Sequence, residues 1–202
     1  MRAAQIVSIV FHPLLLTTYL VVVIGYLMPS LLLVRPEHVL TFTALIFGIT
    51  FVLPVLNLYL FRQYGMITSW KMDSRNERIL PFIFISIVYI LIACLFMYKV
   101  HLSGNFTKLL MIIAALVVAS TMATFFFKVS VHSLAWWGLV GIILPINNIA
   151  GGKLIWATAV LILIAGVVMS ARLKLNAHSI GEVMGGGVIG ISVSYVGMTI
   201  LF

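Results

Sequence analysis

The chain is a succession of long apolar stretches, each close to the length that a helix needs to cross a membrane. About 20 apolar residues span the hydrocarbon core of a bilayer, and seven such stretches occur, at roughly 6–33, 39–61, 80–100, 107–127, 134–150, 153–170 and 183–202. Hydrophobic residues make up 63% of the 202 residues and charged residues 8%, whereas a soluble domain carries about 25% charged residues. We therefore expect an all-α, polytopic membrane helical bundle of six or seven transmembrane helices, folded as a single domain over residues 1–202.

Proline and glycine indicate where these helices bend, end or approach one another. His12-Pro13 and Pro29 are expected to bend or shorten the first stretch, because proline cannot donate a backbone hydrogen bond within a helix. Residues 147–152 have the composition of a turn between the fifth and sixth stretches. Small residues let membrane helices pack closely, and the last stretch is rich in them, with Gly185, Gly186, Gly187, Gly190 and Gly197.

Three short polar islands, at residues 71–78, 128–133 and 172–182, interrupt the apolar sequence. Ionisable groups close to a bilayer are costly unless they are paired or solvated, so such a concentration marks a candidate functional site. Two apolar stretches separate each island from the next. The islands are therefore expected on one membrane face, where they can form one pocket between helices. They contain most of the acidic residues of the chain and two of its histidines, namely Asp73, Glu77, Glu182, His132 and His178.

The side chains of the islands suit an anionic, phosphorylated ligand. Arginine and lysine bind phosphate oxygens, and the islands supply Lys71, Arg75, Arg78, Lys128, Arg172 and Lys174. At headgroup depth such a ligand would be a lipid phosphate. Two histidines suit phosphoryl transfer, one as the nucleophile and one as the proton donor to the leaving oxygen. Glu182 follows His178 by four residues, on the same helical face, where its carboxylate could orient the imidazole.

The spacing within the islands is similar to that of a known family. Three motifs occur in order, namely Lys71-x6-Arg78, Ser130-Val-His132 and Arg172-x5-His178-x3-Glu182. They resemble the motifs of the type 2 phosphatidic acid phosphatase (PAP2) superfamily of membrane lipid phosphatases. The resemblance covers roughly residues 60–202, and it implies a PAP2-like helical core.

The resemblance implies a role for each motif residue. His178 would attack phosphorus and form a phosphohistidine, His132 would protonate the leaving group, and Glu182 would orient His178. Because arginine and lysine would supply the positive charge, the reaction would need no metal and no other cofactor. Arg75 is a further candidate for binding the phosphate, beside the residues that the family pattern assigns to it, which are Lys71, Arg78, Ser130 and Arg172.

The chain departs from the family pattern at several positions. Glu182 replaces the usual aspartate, Val131 the usual glycine, and Val129 the proline expected before Ser130. The proline expected directly after Arg78 is absent, and the chain has seven apolar stretches where the family commonly has six. These departures bear on turnover more than on the fold.

Three functions remain open from the sequence. The first is a lipid phosphatase that hydrolyses a phosphomonoester or a diphosphate of a lipid through a phosphohistidine. The second is a prenyltransferase or an alcohol phosphotransferase, but these use Asp-rich Mg²⁺ sites, and Asp73 is the only aspartate of the chain. The third is a non-catalytic PAP2-like protein that binds or transports lipid phosphates.

The expected partners are a lipid phosphate and the surrounding membrane lipids. The net charge of +8 suits anionic headgroups, and it does not indicate nucleic acid because no basic run accompanies it. The islands carry more lysine and arginine than the opposite face, which favours a cytoplasmic location, but most of this excess is needed for phosphate. The resemblance implies an outward-facing site, and the lack of a signal peptide and of disulfides fits a bacterial inner membrane, with the site facing the periplasm.

Overall fold

The computed structural model is helical in most of the residues that it describes, which are 1–70, 72, 74–100 and 103–202. These residues form ten α-helices and contain no strand. The helices are α1 (Arg2–Val10), α2 (Leu16–Leu27), α3 (Pro29–Leu32), α4 (Val39–Phe47), α5 (Leu53–Gln63), α6 (Arg75–Leu95), α7 (Gly104–Phe126), α8 (Val131–Ile149), α9 (Ile155–Lys174) and α10 (Ile180–Leu201).

Among the described residues, six helical segments are long and apolar enough to cross a membrane, which confirms the predicted all-α, polytopic membrane fold. One segment contains both α4 and α5, because a π-helical turn at Gly48–Val52 joins them, and a second π-helical turn at Phe96–Val100 extends α6. The protein is therefore an integral membrane protein. The six segments are Arg2–Tyr26, Pro36–Gln63, Arg75–Val100, Gly104–Phe126, Ile155–Lys174 and Ile180–Leu201.

The fifth predicted stretch forms α8, which is helical but is not among the six apolar segments. Its ends carry polar residues, with His132 in the first turn and Asn147 and Asn148 in the last. Buried residues nevertheless recur along the helix, from Ser133 to Asn147. Because neighbouring helices cover α8, it needs a less apolar surface than a helix that faces lipid.

The described chain groups into two compact units. The first comprises Met1–Pro13 and Val118–Phe202, and it contains α1, the end of α7 and all of α8, α9 and α10. The second comprises Leu14–Val117. In the second unit the buried Tyr89 of α6 donates its hydroxyl to the Thr50 carbonyl at 3.2 Å, so that α6 satisfies a backbone acceptor of the first π-helical turn.

Within the first unit, α10 lies close against α8 because two of its glycines face the α8 backbone. A Cβ atom at Gly186 would lie 2.6 Å from the Ser130 carbonyl oxygen, and a Cβ atom at Gly190 would overlap the carbonyl of Leu134. The predicted close approach of helices at the glycine-rich last stretch is confirmed at these two positions. This packing fixes the start of α10 beside the start of α8.

The predicted bend at His12-Pro13 is confirmed, because α1 stops there and a 3₁₀ turn, Pro13–Leu15, leads into α2. Proline has no N–H and cannot continue the helix. The last turn of α1 therefore tightens, and the His12 N–H donates to the Ile9 carbonyl at 3.3 Å. In a regular α-helix this N–H would donate to the carbonyl of Ser8. The break thus leaves the Ser8 carbonyl for another donor.

Candidate functional site

His178 lies in the short connection between α9 and α10, and its buried ring is held by two acceptors. Its Nδ1 is 3.0 Å from a Glu182 carboxylate oxygen and 3.2 Å from the Lys128 carbonyl oxygen. An ionised carboxylate and a carbonyl only accept hydrogen bonds, so Nδ1 carries the proton and Nε2 the lone pair. This is the tautomer of an imidazole that attacks through Nε2 while a carboxylate orients it.

Glu182 also belongs to the N-terminal cap of α10. The Ser179 hydroxyl accepts the Glu182 N–H at 3.3 Å, and the Glu182 carboxylate accepts the Ser179 N–H at 3.0 Å, which makes a capping box. A single carboxylate oxygen, Oε2, receives both the Ser179 N–H and the ring N–H of His178. The helix cap therefore positions the carboxylate that positions the imidazole.

Ser130 is the N-cap of α8, and its hydroxyl is engaged within the protein. Its Oγ accepts from the Ser133 backbone N–H at 3.5 Å and from the Ser133 hydroxyl at 3.2 Å. The Ser130 N–H donates to the Glu182 carbonyl at 3.2 Å, which joins the starts of α8 and α10. Ser130 thus lies in the same cluster as His178, but it is 0% exposed. Its predicted role in binding phosphate stays a prediction.

His132 and Trp136, one turn apart on α8, donate to carbonyls that the break in α1 leaves available. His132 Nε2 donates to the Ser8 carbonyl at 3.1 Å, and Trp136 Nε1 donates to the Phe11 carbonyl at 2.9 Å. Residues four apart share one helical face, so both donors reach the same broken helix end. The proton of His132 is therefore on Nε2, the opposite of the arrangement in His178.

Arg172, in the last turn of α9, also contacts α1. Its Nη1 donates to the Ser8 hydroxyl at 3.3 Å, and the His12 ring packs edge-to-face on that of His132 with centroids 5.5 Å apart. Arg172 lies close enough to both of these histidines, and His178 to His132, for positive charges on these side chains to repel one another. Five ionisable side chains of the first unit form the candidate site. We call them the histidine cluster, and they are His12, His132, Arg172, His178 and Glu182.

Two of the predicted basic residues of the first polar island belong to the other compact unit. Arg75 and Arg78 lie in the first turn of α6, in the second unit. The buried Arg78 donates from Nε to the Met72 carbonyl at 2.8 Å. Lys71 lies outside the described residues. The roles of Lys71, Arg75 and Arg78 in binding phosphate therefore stay predictions made from the resemblance.

Ser8, His12 and Ser179 are site residues that the three sequence motifs do not include. Two signals for them were present. Proline within a helical run leaves carbonyls of the preceding turn without N–H partners, and the four residues from Ser179 to Glu182 fit the Ser-x-x-Glu pattern of a capping box. Neither signal identifies the donor that reaches Ser8, because the donor, His132, is 124 residues away in the chain.

Comparison with known proteins gives no match, since no family model, no curated protein and no solved structure matches the chain. The resemblance to the PAP2 superfamily therefore rests on the three sequence motifs. Within the described part of the chain, no three His, Cys, Asp or Glu side chains are grouped so that they could hold a metal ion. The metal-independent reaction stays a prediction, and the histidine cluster is the candidate site.

Proposed function

We propose that this protein is a membrane lipid phosphatase that hydrolyses a phosphomonoester or a diphosphate of a lipid through a phosphohistidine intermediate. The observation that carries the proposal is the 3.0 Å hydrogen bond from His178 Nδ1 to the Glu182 carboxylate. A carboxylate in this position fixes the tautomer of the ring and stabilises the positive charge that the ring acquires when Nε2 attacks. A buried imidazole oriented in this way, in one cluster with Arg172, suits attack on the phosphorus of a lipid headgroup.

The proposed reaction consists of two displacements at phosphorus. In the first, His178 Nε2 forms a bond to phosphorus, the bond from phosphorus to the leaving oxygen breaks, and His132 gives that oxygen a proton. In the second, water forms the new phosphorus–oxygen bond, the phosphorus–nitrogen bond breaks, and His132 takes a proton from the water. The Arg172 guanidinium neutralises phosphate oxygens in both steps. To act as the acid, the His132 ring must carry a second proton, on Nδ1, because the neutral ring would otherwise become an imidazolate. Transfer of the Nε2 proton also requires that its bond to the Ser8 carbonyl opens.

The rest of the proposal is supported by the sequence. Lys71, Arg75, Arg78 and Ser130 are proposed as further phosphate ligands on the family resemblance. The same resemblance supports an outward-facing site and a reaction that needs no metal, and the bacterial inner membrane stays a prediction. The abundance of arginine and lysine in the polar islands supplies the positive charge for such a reaction.

Phosphate release from a panel of lipid monophosphates and diphosphates, measured on the purified protein in EDTA, tests the proposal. We expect release by the wild-type protein, and an acid-labile phosphoprotein that can be trapped during turnover. His178→Ala should lose release by more than about 10³-fold, because no other group forms the intermediate. His38→Ala is the matched control, since His38 is exposed and lies outside the histidine cluster.

Two results would contradict this proposal. Retained activity in folded His178→Ala protein would exclude His178 as the nucleophile. An absolute requirement for Mg²⁺ would instead favour a metal-dependent transferase. The thermal unfolding midpoint of His178→Ala, measured in the same detergent, shows whether a loss of activity reflects unfolding.

A second function is binding of lipid phosphate without turnover. It is favoured because two predicted site residues already form hydrogen bonds within the protein. The Ser130 hydroxyl caps α8, and the His132 ring proton is bonded to the Ser8 carbonyl. A binding or transport protein can keep both groups in these structural roles. If the wild-type protein retains lipid phosphates on vesicles but releases phosphate from no member of the panel, this second function is the correct one.

A further inference from the structure

Ser8 of α1 presents two oxygens to two of the residues that we propose to act on phosphate. Its hydroxyl accepts from Arg172 Nη1 at 3.3 Å, and its carbonyl accepts from His132 Nε2 at 3.1 Å. Ser8 is buried, with 8% of its surface exposed. A phosphate ester would present the same pair of acceptors, one oxygen to the guanidinium and one to the imidazole N–H. Ser8 thus accepts hydrogen bonds from the two donors that the substrate would need.

We propose that Ser8 is an internal stand-in for the phosphate group, and that a phosphorylated ligand binds by displacing the end of α1 from Arg172 and His132. This inference rests on the proposed function, which has Arg172 and His132 act on the phosphate group. It adds that α1 closes the empty site. The empty and the occupied site then differ in whether the end of α1 is bonded to α8 and α9.

The way in which α1 is held suits reversible displacement. It is a helix of nine residues, of which Ala4 and Ser8 are buried, and it ends where Pro13 stops regular helical hydrogen bonding. Its hydrogen bonds to α8 and α9 use acceptors that carry no charge, namely the Ser8 hydroxyl and the carbonyls of Ser8 and Phe11. Displacement of α1 would break these hydrogen bonds and separate the Phe11 and His12 rings from those of Trp136 and His132, which lie 5.0 and 5.5 Å away.

Phosphate competes well against such acceptors. The Arg172 guanidinium can donate two parallel hydrogen bonds to the oxygens of one phosphate and attracts its opposite charge, whereas the neutral Ser8 hydroxyl accepts one bond from Nη1. A dianionic phosphate therefore replaces the Ser8 hydroxyl at Arg172 with a gain in free energy. Conversely, the closed state lowers the apparent affinity for phosphate, because only the fraction of molecules with displaced α1 is competent to bind.

Binding of inorganic phosphate to the purified full-length protein tests the inference. Ser8→Ala removes the hydroxyl and keeps the carbonyl, so it weakens the closed state without changing Arg172 or His132. We expect Ser8→Ala to bind inorganic phosphate about tenfold more tightly than the wild-type protein. The matched control is Ser170→Ala, because the exposed Ser170 hydroxyl bonds within α9, to the Gly166 carbonyl. Its affinity should equal that of the wild-type protein.

The opposite result would overturn the inference. Weaker binding by Ser8→Ala would mean that Ser8 holds Arg172 in place for the ligand. Equal affinity in Ser8→Ala and the wild-type protein would mean that the hydroxyl does not compete. Absence of phosphate binding in both proteins would mean that Ser8 stands in for no phosphate.

Hydrogen–deuterium exchange gives a second readout on the unaltered protein, which keeps the inference testable if Ser8→Ala does not fold. The amide groups of residues 2–10 should exchange faster in saturating inorganic phosphate than without it, while those of α10 should not. Unchanged or slower exchange of residues 2–10 would contradict the displacement of α1.

These measurements do not depend on turnover, so the two proposals can fail separately. Tighter phosphate binding by Ser8→Ala, in a protein that releases phosphate from no lipid, would retain the role of Ser8 and discard the phosphatase. Phosphate release with equal affinities and unchanged exchange would retain the phosphatase and discard the role of Ser8.

Discussion

At the scale of single residues, Glu182 combines a structural and a proposed chemical role in one carboxylate oxygen. That oxygen caps α10 through Ser179 and accepts the ring N–H of His178. A loss of activity at position 182 therefore has two explanations, an uncapped helix and a misdirected imidazole. The two can be separated because glutamine also serves at this position of a capping box, whereas it carries no charge.

Comparison of Glu182→Gln with Ser179→Ala distinguishes an uncapped helix from a misdirected imidazole. Glu182→Gln should keep the thermal unfolding midpoint and lipid-phosphate binding but lower phosphate release by about 10³- to 10⁴-fold, because the loss of an orienting carboxylate costs about 10⁴-fold in a serine protease triad. Ser179→Ala should cost about 1 kcal/mol of stability, the usual effect of removing an N-cap hydroxyl, with turnover near that of the wild-type protein. Equal losses of turnover in the two variants would show that Glu182 acts through the helix cap alone.

The contact between His178 and Glu182 could be predicted because it is local. The expected reason, a shared helical face, is wrong, because His178 precedes the N-cap Ser179 and lies outside α10. The contact forms because the capping box turns the Glu182 carboxylate back toward the residues that precede the helix. The bonds from His132 and Arg172 to Ser8 could not be predicted in this way, since they join the first helix of the chain to α8 and α9. Pro13 predicts that carbonyls near it need donors, but the identity of the donors is a property of the packing.

At the scale of helices, the position of the histidine cluster depends on the close approach of α8 and α10. The starts of the two helices are joined by the bond from the Ser130 N–H to the Glu182 carbonyl. Two turns further along, Gly190 faces the carbonyl of Leu134 without room for a side chain. Any separation of the helices at Gly190 would move Glu182 and His178 away from α8.

Gly190→Ala should therefore lower both stability and activity. The added methyl group overlaps backbone atoms, which cannot rotate away as a side chain can, so we expect a loss of about 1–3 kcal/mol, as for overpacked cores. Gly166→Ala is the matched control, because a Cβ atom at Gly166 meets nothing within 4 Å and alanine is the better helix former. Thermal unfolding in detergent and phosphate release measure the two effects. Equal unfolding midpoints in the two variants would disprove the packing argument.

Most helices could be predicted from the length and apolarity of their segments, but their ends could not. The first stretch, predicted at 6–33, divides into α1, α2 and α3 at Pro13 and Pro29, where proline ends one helix or begins another. The π-helical turn at Gly48–Val52 has no comparable signal, since an extra residue per turn leaves the apolar composition unchanged. Hydropathy also does not reveal that α8 is covered by protein, because it measures composition and not neighbours.

At the scale of the whole molecule, the positions of loops relative to the membrane follow from contacts within the first unit. The Lys128 carbonyl contacts the His178 ring, so the segment before α8 meets the segment after α9. α8 and α9 must then run in opposite directions, and the loop around Lys153 lies at their other end. If α9 crosses the membrane, we expect α8 to cross it as well, although α8 is not among the segments that qualify as spans by length and apolarity.

Single cysteines in a Cys94→Ser background test this arrangement. Lys128→Cys and Asn176→Cys should react with an impermeant thiol reagent from the same side of the membrane, and Lys153→Cys should react from the opposite side. Lys153 and Asn176 are exposed, and Lys128 is half-buried, so all three positions are accessible enough for labelling in intact cells and in inverted vesicles. Labelling of Lys128→Cys and Lys153→Cys from one side would mean that α8 does not cross.

The membrane character of the molecule could be predicted in full, and its division into two units could not. A chain that is 63% hydrophobic has no alternative to burying its helices in lipid or in one another. Which helices group together depends on small-residue contacts such as those of Gly186 and Gly190 with α8, and glycines occur throughout the chain. The single domain expected over residues 1–202 stays a prediction.

The enclosure of α8 by its neighbours has a consequence for the biogenesis of the protein. Insertion machinery admits a segment to the bilayer according to its apolarity, and α8 is not among the segments that qualify as spans by length and apolarity. The helices that cover it, α9 and α10, follow it in the chain. When α8 leaves the ribosome, the surface that will enclose it has not yet been synthesised, so we expect α8 to enter the membrane together with α9, as a helical hairpin.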